Sequence, residues 1–185
     1  TDDFWRALHP GPSRHGRMLP PAFPYPHFTQ VTREDSDALF AFLRSVLAVD
    51  RPNTPNALAF PYDTQLALKV WRALYFRPGT FVAQPAKSAE WNRGAYLVNG
   101  LGHCAACHGA RNAMGATIAG REFDGAPIPG QGWYAPALTL AAEGSVAAWP
   151  VADVVGLLRD GVAPGTGAVV TGPMAEVVAR STQHL

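Results

Sequence analysis

The chain contains two cysteines, Cys104 and Cys107, and His108 follows the second directly, in the run GLGHCAACHGARN over residues 100–112. Thiols and an imidazole at this spacing can contribute to a zinc site, cycle as a dithiol pair, close a structural disulfide, or attach and ligate a haem. Structural zinc takes four ligands, so histidines such as His103 or His108 would have to complete the set, and a histidine abutting Cys107 suits tetrahedral zinc poorly. A thioredoxin-type dithiol follows a strand in a βαβ setting, and no such pattern surrounds these residues. On a helical turn, two sulfurs separated by two residues can each form a thioether with one vinyl group of a porphyrin. The next residue then offers its imidazole to the iron from the same face. Cys104 and Cys107 read as the two anchors of one covalent haem c, and His108 as its proximal ligand. A haem-free chain in which the two cysteines are thiols or a disulfide is the alternative.

An electron-transfer haem with six ligands takes its second axial group from far along the chain. Of the three methionines, Met114 is too close to His108 to circle the porphyrin and Met18 lies well upstream. Met174, in TGPMAEVV, follows glycine and proline on a stretch that reads as irregular, and is the candidate distal ligand; the competing reading is a methionine filling a core gap. Without that bond the sixth position stays open, as in a peroxidase or a ligand-binding haem protein. In GWYAPALT, Trp133 and Tyr134 are candidate pocket walls, apolar with polar tips. Pro136 offers a carbonyl that can accept the Nδ1 proton of His108 and fix the ring. Arg111 and Arg121 follow the attachment site closely and are candidate propionate partners.

Short helices must carry these groups. Glycine and proline, at 18 and 17 of 185 residues, predict many turns and long irregular connections. A 48% hydrophobic, 16% charged composition is that of a globular chain, and a net charge of +1 gives no reason to expect nucleic acid. No apolar run is long enough to cross a membrane. The opening TDDFWRALHPG lacks both a methionine and the pattern of an export signal, so residue 1 reads as a processed or truncated end.

Residues 2–9 predict a helix with Phe4, Trp5 and Leu8 on one side. Thr32 predicts an N-cap for a helix with an apolar stripe of Leu39, Phe40, Phe42, Leu43, Val46 and Leu47. After a proline-rich linker, helices are expected over 64–76, with Leu66, Val70 and Leu74 on one face, and over 88–101. A last one spans 149–161, with Val151, Val154, Val155 and Leu158 inward and Gly161 as its C-cap. An internal repeat is visible: helix, glycine and intervening loop lead to PAF at 21–23 in one copy and GPM at 172–174 in the other.

WNRGAYLVNGLGHCAACHGARN, GWYAPALT and GPMAEVVARSTQHL resemble the second haem domain of the three-haem cytochrome c subunits that serve membrane-bound alcohol, gluconate, sorbitol and aldehyde dehydrogenases of Gram-negative bacteria. Residues 1–80 are similar to the end of the first haem domain and the linker after it. The resemblance implies a mainly α fold: a class I cytochrome c-like helical domain with long irregular loops over 88–185, preceded by a partial helical unit (1–49) lacking its own CxxCH and a linker with one helix (50–87). It implies a one-electron relay rather than an enzyme. The donor would be a periplasmic dehydrogenase subunit and the acceptor quinone or an oxidase, at the outer face of the inner membrane. The chain departs from the family pattern at Phe23, where methionine is common, and at Ala137, where APNLT has asparagine.

In the cytochrome c fold the helix before CxxCH crosses a C-terminal helix, for which Gly94 would leave room. No such helix follows within the sequence before Leu185. The expectation is that the 32–47 helix packs against the 88–101 helix instead and covers Trp91, Tyr96, Leu97 and Val98, either within the chain or exchanged between two chains.

Overall fold

The computed structural model describes residues 1–139 and 145–185. The chain is mainly helical and divides into two compact units, Thr1–Ala106 and Cys107–Leu185.

Five helices make the first unit: α1 (Asp2–Leu8), α2 (Tyr25–Phe28), α3 (Arg33–Ser45), α4 (Gln65–Tyr75) and α5 (Ala89–Asn99). Three begin at side-chain caps, where the hydroxyl of Thr32, Thr64 or Ser88 accepts from an amide three residues on and satisfies one of the orphan donors of a helix start. The core gathers Leu8, Tyr25, Val31, Leu68, Trp71, Phe76 and Tyr96.

Two apolar faces read from the sequence are largely exposed. Helix α4 turns Leu68 and Trp71 inward and leaves Leu66, Val70 and Leu74 exposed. Its inner face is set by polar tips as well as by apolar bulk: the Gln65 amide takes both backbone groups of Met18, and Arg72 Nε donates to Pro10 O at 2.9 Å. Helix α3 meets α1, with the Phe4 and Phe40 rings 5.5 Å apart, while Phe42 and Leu43 are 64% and 54% exposed. Within the chain the stripe therefore does not cover α5, and outside its own helix backbone Gly94 has no atom within 4 Å of where a Cβ would stand. The upstream stretch does reach α5, by a different contact. The Thr32 N–H donates to the Tyr96 hydroxyl at 3.1 Å, and that hydroxyl donates to Asp35 Oδ2 at 2.5 Å. Gly100 makes the close approach, since a Cβ there would lie 3.5 Å from Gln30 Cβ and 3.7 Å from Val31 Cγ2. Through these bonds α5, assigned from sequence to the 88–185 segment, packs within the first unit.

The single turn α6 (Ala105–His108) contains the division between the units. Beyond it, β1 (Ala126–Ile128) and β2 (Trp133–Ala135) form an antiparallel pair with Ala126 opposite Ala135. A 3₁₀ turn (Val146–Ala148), α7 (Val151–Asp160), α8 (Pro173–Arg180) and a last 3₁₀ turn (Thr182–His184) follow. Helix α7 also presents a face other than the expected one. Asp153 and Gly156 are buried and Val151, Val155 and Leu158 are exposed, because α7 packs on its own following loop. A Cβ on Gly156 would fall 2.6 Å from Pro164 Cδ, and Asp153 Oδ1 accepts from the Gly165 N–H.

The internal repeat is present in the backbone. Gly11 and Gly161 both have positive φ after a helix, and each opens a tight loop. In the first, the Leu19 N–H donates to Gly11 O and the Ser13 N–H to Arg17 O; in the second, the Val170 N–H donates to Gly161 O and the Ala163 N–H to Ala168 O. The isolated bridges Pro12–Met18 and Val162–Val169 correspond. Phe23 and Met174 then occupy equivalent places, each the fourth residue after its loop closes.

Candidate functional site

Approach to the attachment turn is set by backbone geometry. His103 has φ +37, a left-handed conformation uncommon for a residue with a side chain. Its carbonyl accepts from the Ala106 N–H at 2.8 Å, its N–H donates to Gly100 O, and the Cys104 N–H donates to Val98 O. The His103 ring stands edge-on to Phe28 at 5.4 Å, and burial holds its pKa below the ordinary histidine value. Next, α6 points Ala105 inward at 2% exposure, which leaves Cys104, Cys107 and His108 half-buried around the same turn.

His108 is held by its far nitrogen. Nδ1 lies 2.7 Å from Pro136 O, a carbonyl that can only accept, so Nδ1 carries a proton and Nε2 is the ring atom left to face a metal. The His108 carbonyl accepts from the Gly125 N–H at 2.8 Å. Gly125 has φ +81, and a Cβ there would meet Ala137 N and the Tyr134 hydroxyl at 2.7 Å; only glycine fits this crossing.

Two residues before Pro136 on the β2 side, Tyr134 folds over Gly125, and Trp133 lies against Gly172, with ring carbons 2.8 Å from that residue's Cβ position. Gly172, at φ +56, is the N-cap of α8. Met174 is therefore helical, in the first turn of α8 and half-buried, rather than on the irregular segment expected. The stretch 133–136 thus touches the histidine through Pro136 and the base of the methionine helix through Trp133. Trp133 and Tyr134 are about half-exposed. Arg111 Nη1 reaches Pro127 O at 3.5 Å, and Arg121 is engaged elsewhere, its Nε 2.6 Å from Asp124 Oδ2. Ala137 is 1% exposed, so its methyl is buried at the position where the family pattern has asparagine.

The chemistry of the donor set fits a haem c. No disulfide joins Cys104 and Cys107. Among the described residues no group of three or more His, Cys, Asp and Glu side chains gathers to hold a metal ion. Two thiols at this spacing, an imidazole oriented through Nδ1 and a soft thioether in the first turn of α8 are groups of the kind that a covalent porphyrin and its iron bind. Gly125 is a residue at this site that the sequence did not single out; His103 and Gly172 entered the sequence reading only as a candidate zinc ligand and as the glycine before Met174.

No protein-family model matches the chain. It is 40% identical to a nicotinate dehydrogenase subunit of Pseudomonas putida over 95% of its own length and 14% of that protein. It is 33% identical to the fructose dehydrogenase cytochrome subunit of Gluconobacter japonicus, over all of this chain and 37% of the relative. A diheme cytochrome c-type protein of Cereibacter sphaeroides is also 33% identical, over 98% of this chain and 59% of the relative. The chain thus spans less than two thirds of each of these relatives.

Proposed function

We propose that this chain, homologous over nearly its whole length to cytochrome c subunits of dehydrogenases, holds one haem c with His108 and Met174 as axial ligands and relays single electrons. Bound there, the haem supplies a ferric/ferrous couple. Cys104 and Cys107 would hold it through thioethers to its vinyl groups. His108 would present Nε2, its ring held through Nδ1 by the Pro136 carbonyl. Met174 offers a soft sulfur that favours ferrous iron. Trp133 and Tyr134 supply apolar wall, and Arg111 is the candidate propionate partner.

The observation that carries this reading is the 2.7 Å contact between His108 Nδ1 and Pro136 O, on the same stretch whose Trp133 seats the Met174 helix at Gly172. Electrons would arrive from a partner dehydrogenase and leave toward quinone or an oxidase, at the periplasmic face of the inner membrane. Among the described residues no helix is long and apolar enough to cross a membrane. A pyridine haemochrome assay with intact mass tests covalent attachment. The sulfur-to-iron charge-transfer band of the oxidised protein tests Met174, and its absence would favour an open sixth position.

A further inference from the structure

Charge is unevenly spread along the chain. Residues 64–89 hold no aspartate or glutamate, while both lysines of the chain, Lys69 and Lys87, fall there together with Arg72 and Arg77. The whole chain has 15 basic and 14 acidic residues, so outside this stretch acids outnumber bases. Helix α4 forms the first part of the stretch and carries no carboxylate along its 11 residues.

What α4 shows to solvent is decided by what it holds inside. Gln65 takes both backbone groups of Met18, Arg72 Nε donates to Pro10 O, and Leu68 and Trp71 are buried on the same side. These contacts fix the rotation of the helix about its axis. At 3.6 residues per turn, Leu66, Val70 and Leu74 then fall within an arc of about 80° on the opposite side, over a length of about 12 Å. They are 73%, 51% and 60% exposed. Lys69 stands at one margin of that arc. Arg77 turns back over the C-terminal end of the helix, where its Nη1 donates to Ala73 O at 3.0 Å and to Phe76 O at 2.9 Å. Among the described residues no carboxylate forms an ion pair with Lys69 or Arg77.

We infer that the outer face of α4 docks on an anionic phospholipid bilayer. Leu66, Val70 and Leu74 enter the boundary between headgroups and acyl chains, and Lys69 and Arg77 meet the anionic headgroups. The helix lies in the plane of the interface, since 11 residues are too few to span the hydrocarbon core. Aliphatic side chains that protrude from a single helix need a matching hollow for each on a protein partner, whereas fluid acyl chains part around them. The cations at the margin and the lack of any acid on the helix select for a negatively charged surface. A strip of this size binds reversibly. It belongs to the first unit and is independent of the haem.

The test uses the haem-loaded chain with vesicles of equimolar phosphatidylglycerol and phosphatidylcholine, and with vesicles of phosphatidylcholine alone. Binding is read by flotation and quantified as protein, so loss of haem and loss of docking are separate results. The parent chain floats with the anionic vesicles, at least tenfold more than with phosphatidylcholine alone, and is released as salt is raised. Lys69→Gln weakens partition about fivefold, the scale of one basic group at such a surface. Leu66→Gln combined with Leu74→Gln weakens it more than tenfold, while the thermal midpoint and haem spectrum stay at parent values because both side chains are exposed. A parent chain that does not float with the anionic vesicles overturns the inference and leaves an acidic protein surface as the occupant. Flotation that survives the paired leucine change also overturns it, since charge alone would then account for the binding.

Discussion

The indole of Trp133 lies flat against Gly172, with three ring carbons 2.8 Å from the point where a Cβ would stand, and Gly172 begins the helix that carries Met174. At φ +56 and ψ −142 its backbone is one that only glycine adopts freely. Gly172→Ala is therefore expected to push Trp133 and the start of α8 apart, at a cost of about 1–3 kcal/mol. In the haem-loaded protein the sulfur-to-iron band should weaken while covalent attachment persists. A variant with full band intensity and unchanged thermal midpoint would show that Trp133 does not seat Met174.

Met174→Ala should leave the haem attached, since Cys104, Cys107 and His108 suffice for that, but with a lower reduction potential and new affinity for small ligands. Redox titration and carbon monoxide binding measure both. An unchanged spectrum and potential would remove Met174 from the site. His108→Ala should instead impair haem incorporation, read as the ratio of haem to protein.

One contact of the candidate site was legible in the sequence because its meaning is local: a proline after a turn leaves a carbonyl free to accept, and Pro136 O lies 2.7 Å from His108 Nδ1. Helix positions were legible from caps such as Thr32, Thr64 and Ser88, whose hydroxyls act within one turn. The faces were not. Leu66, Val70 and Leu74 make the more apolar stripe of α4, yet Leu68 and Trp71 are buried, because Gln65 and Arg72 on that side bond to backbone groups of residues 10 and 18. Apolar periodicity does not register such long-range polar tips. The same holds for α7, where Gly156 and Asp153 outweigh three exposed aliphatic residues through contacts with Pro164 and Gly165.

His103 gives a pH dependence with a definite sign. Burial lowers its pKa in the folded chain, so on acidification the unfolded chain takes up the proton first. The neutral buried ring contributes stability that is present at neutral pH and is lost as the pH falls below about 6.5 toward the folded-state value. His103→Asn, which tolerates a left-handed backbone, should flatten the decline of the thermal midpoint between roughly pH 6.5 and 5 relative to the parent. His9, whose pKa burial also lowers, continues to titrate in both proteins. Identical slopes would mean that His103 protonates as easily folded as unfolded.

Tyr96 ties α5 to the start of α3 through one hydroxyl. It accepts from Thr32 N and donates to Asp35 Oδ2, and both burial and that carboxylate raise its pKa. Tyr96→Phe leaves an amide and a carboxylate oxygen without this partner and should cost about 1–3 kcal/mol in urea unfolding. Asp35→Asn alone should cost less, because an amide oxygen can still accept the hydroxyl proton. In the Tyr96→Phe background the Asp35 change should be nearly neutral, and strict additivity of the two would separate them into independent contacts.

Gly156 sets how closely α7 can lie on the loop that leads to Met174. A Cβ there would stand 2.6 Å from Pro164 Cδ and 2.9 Å from Val162 O, a ring and a backbone oxygen that cannot swing aside as a flexible side chain would. In a helix, alanine is otherwise favoured over glycine by about 1 kcal/mol, so an exposed glycine would gain from the change. The clash should exceed that gain and leave Gly156→Ala destabilised by about 1–3 kcal/mol. The neighbouring anchor shares the strain, since Gly165 donates to the buried Asp153 in the same loop and would have to move with Pro164. Amide exchange at Gly165 and Val170 should therefore accelerate together in the variant, while that of Ala126 and Ala135 on the β1–β2 pair stays as it was. A stabilised Gly156→Ala protein with unaltered exchange at Gly165 would show that α7 and its loop have slack at this contact.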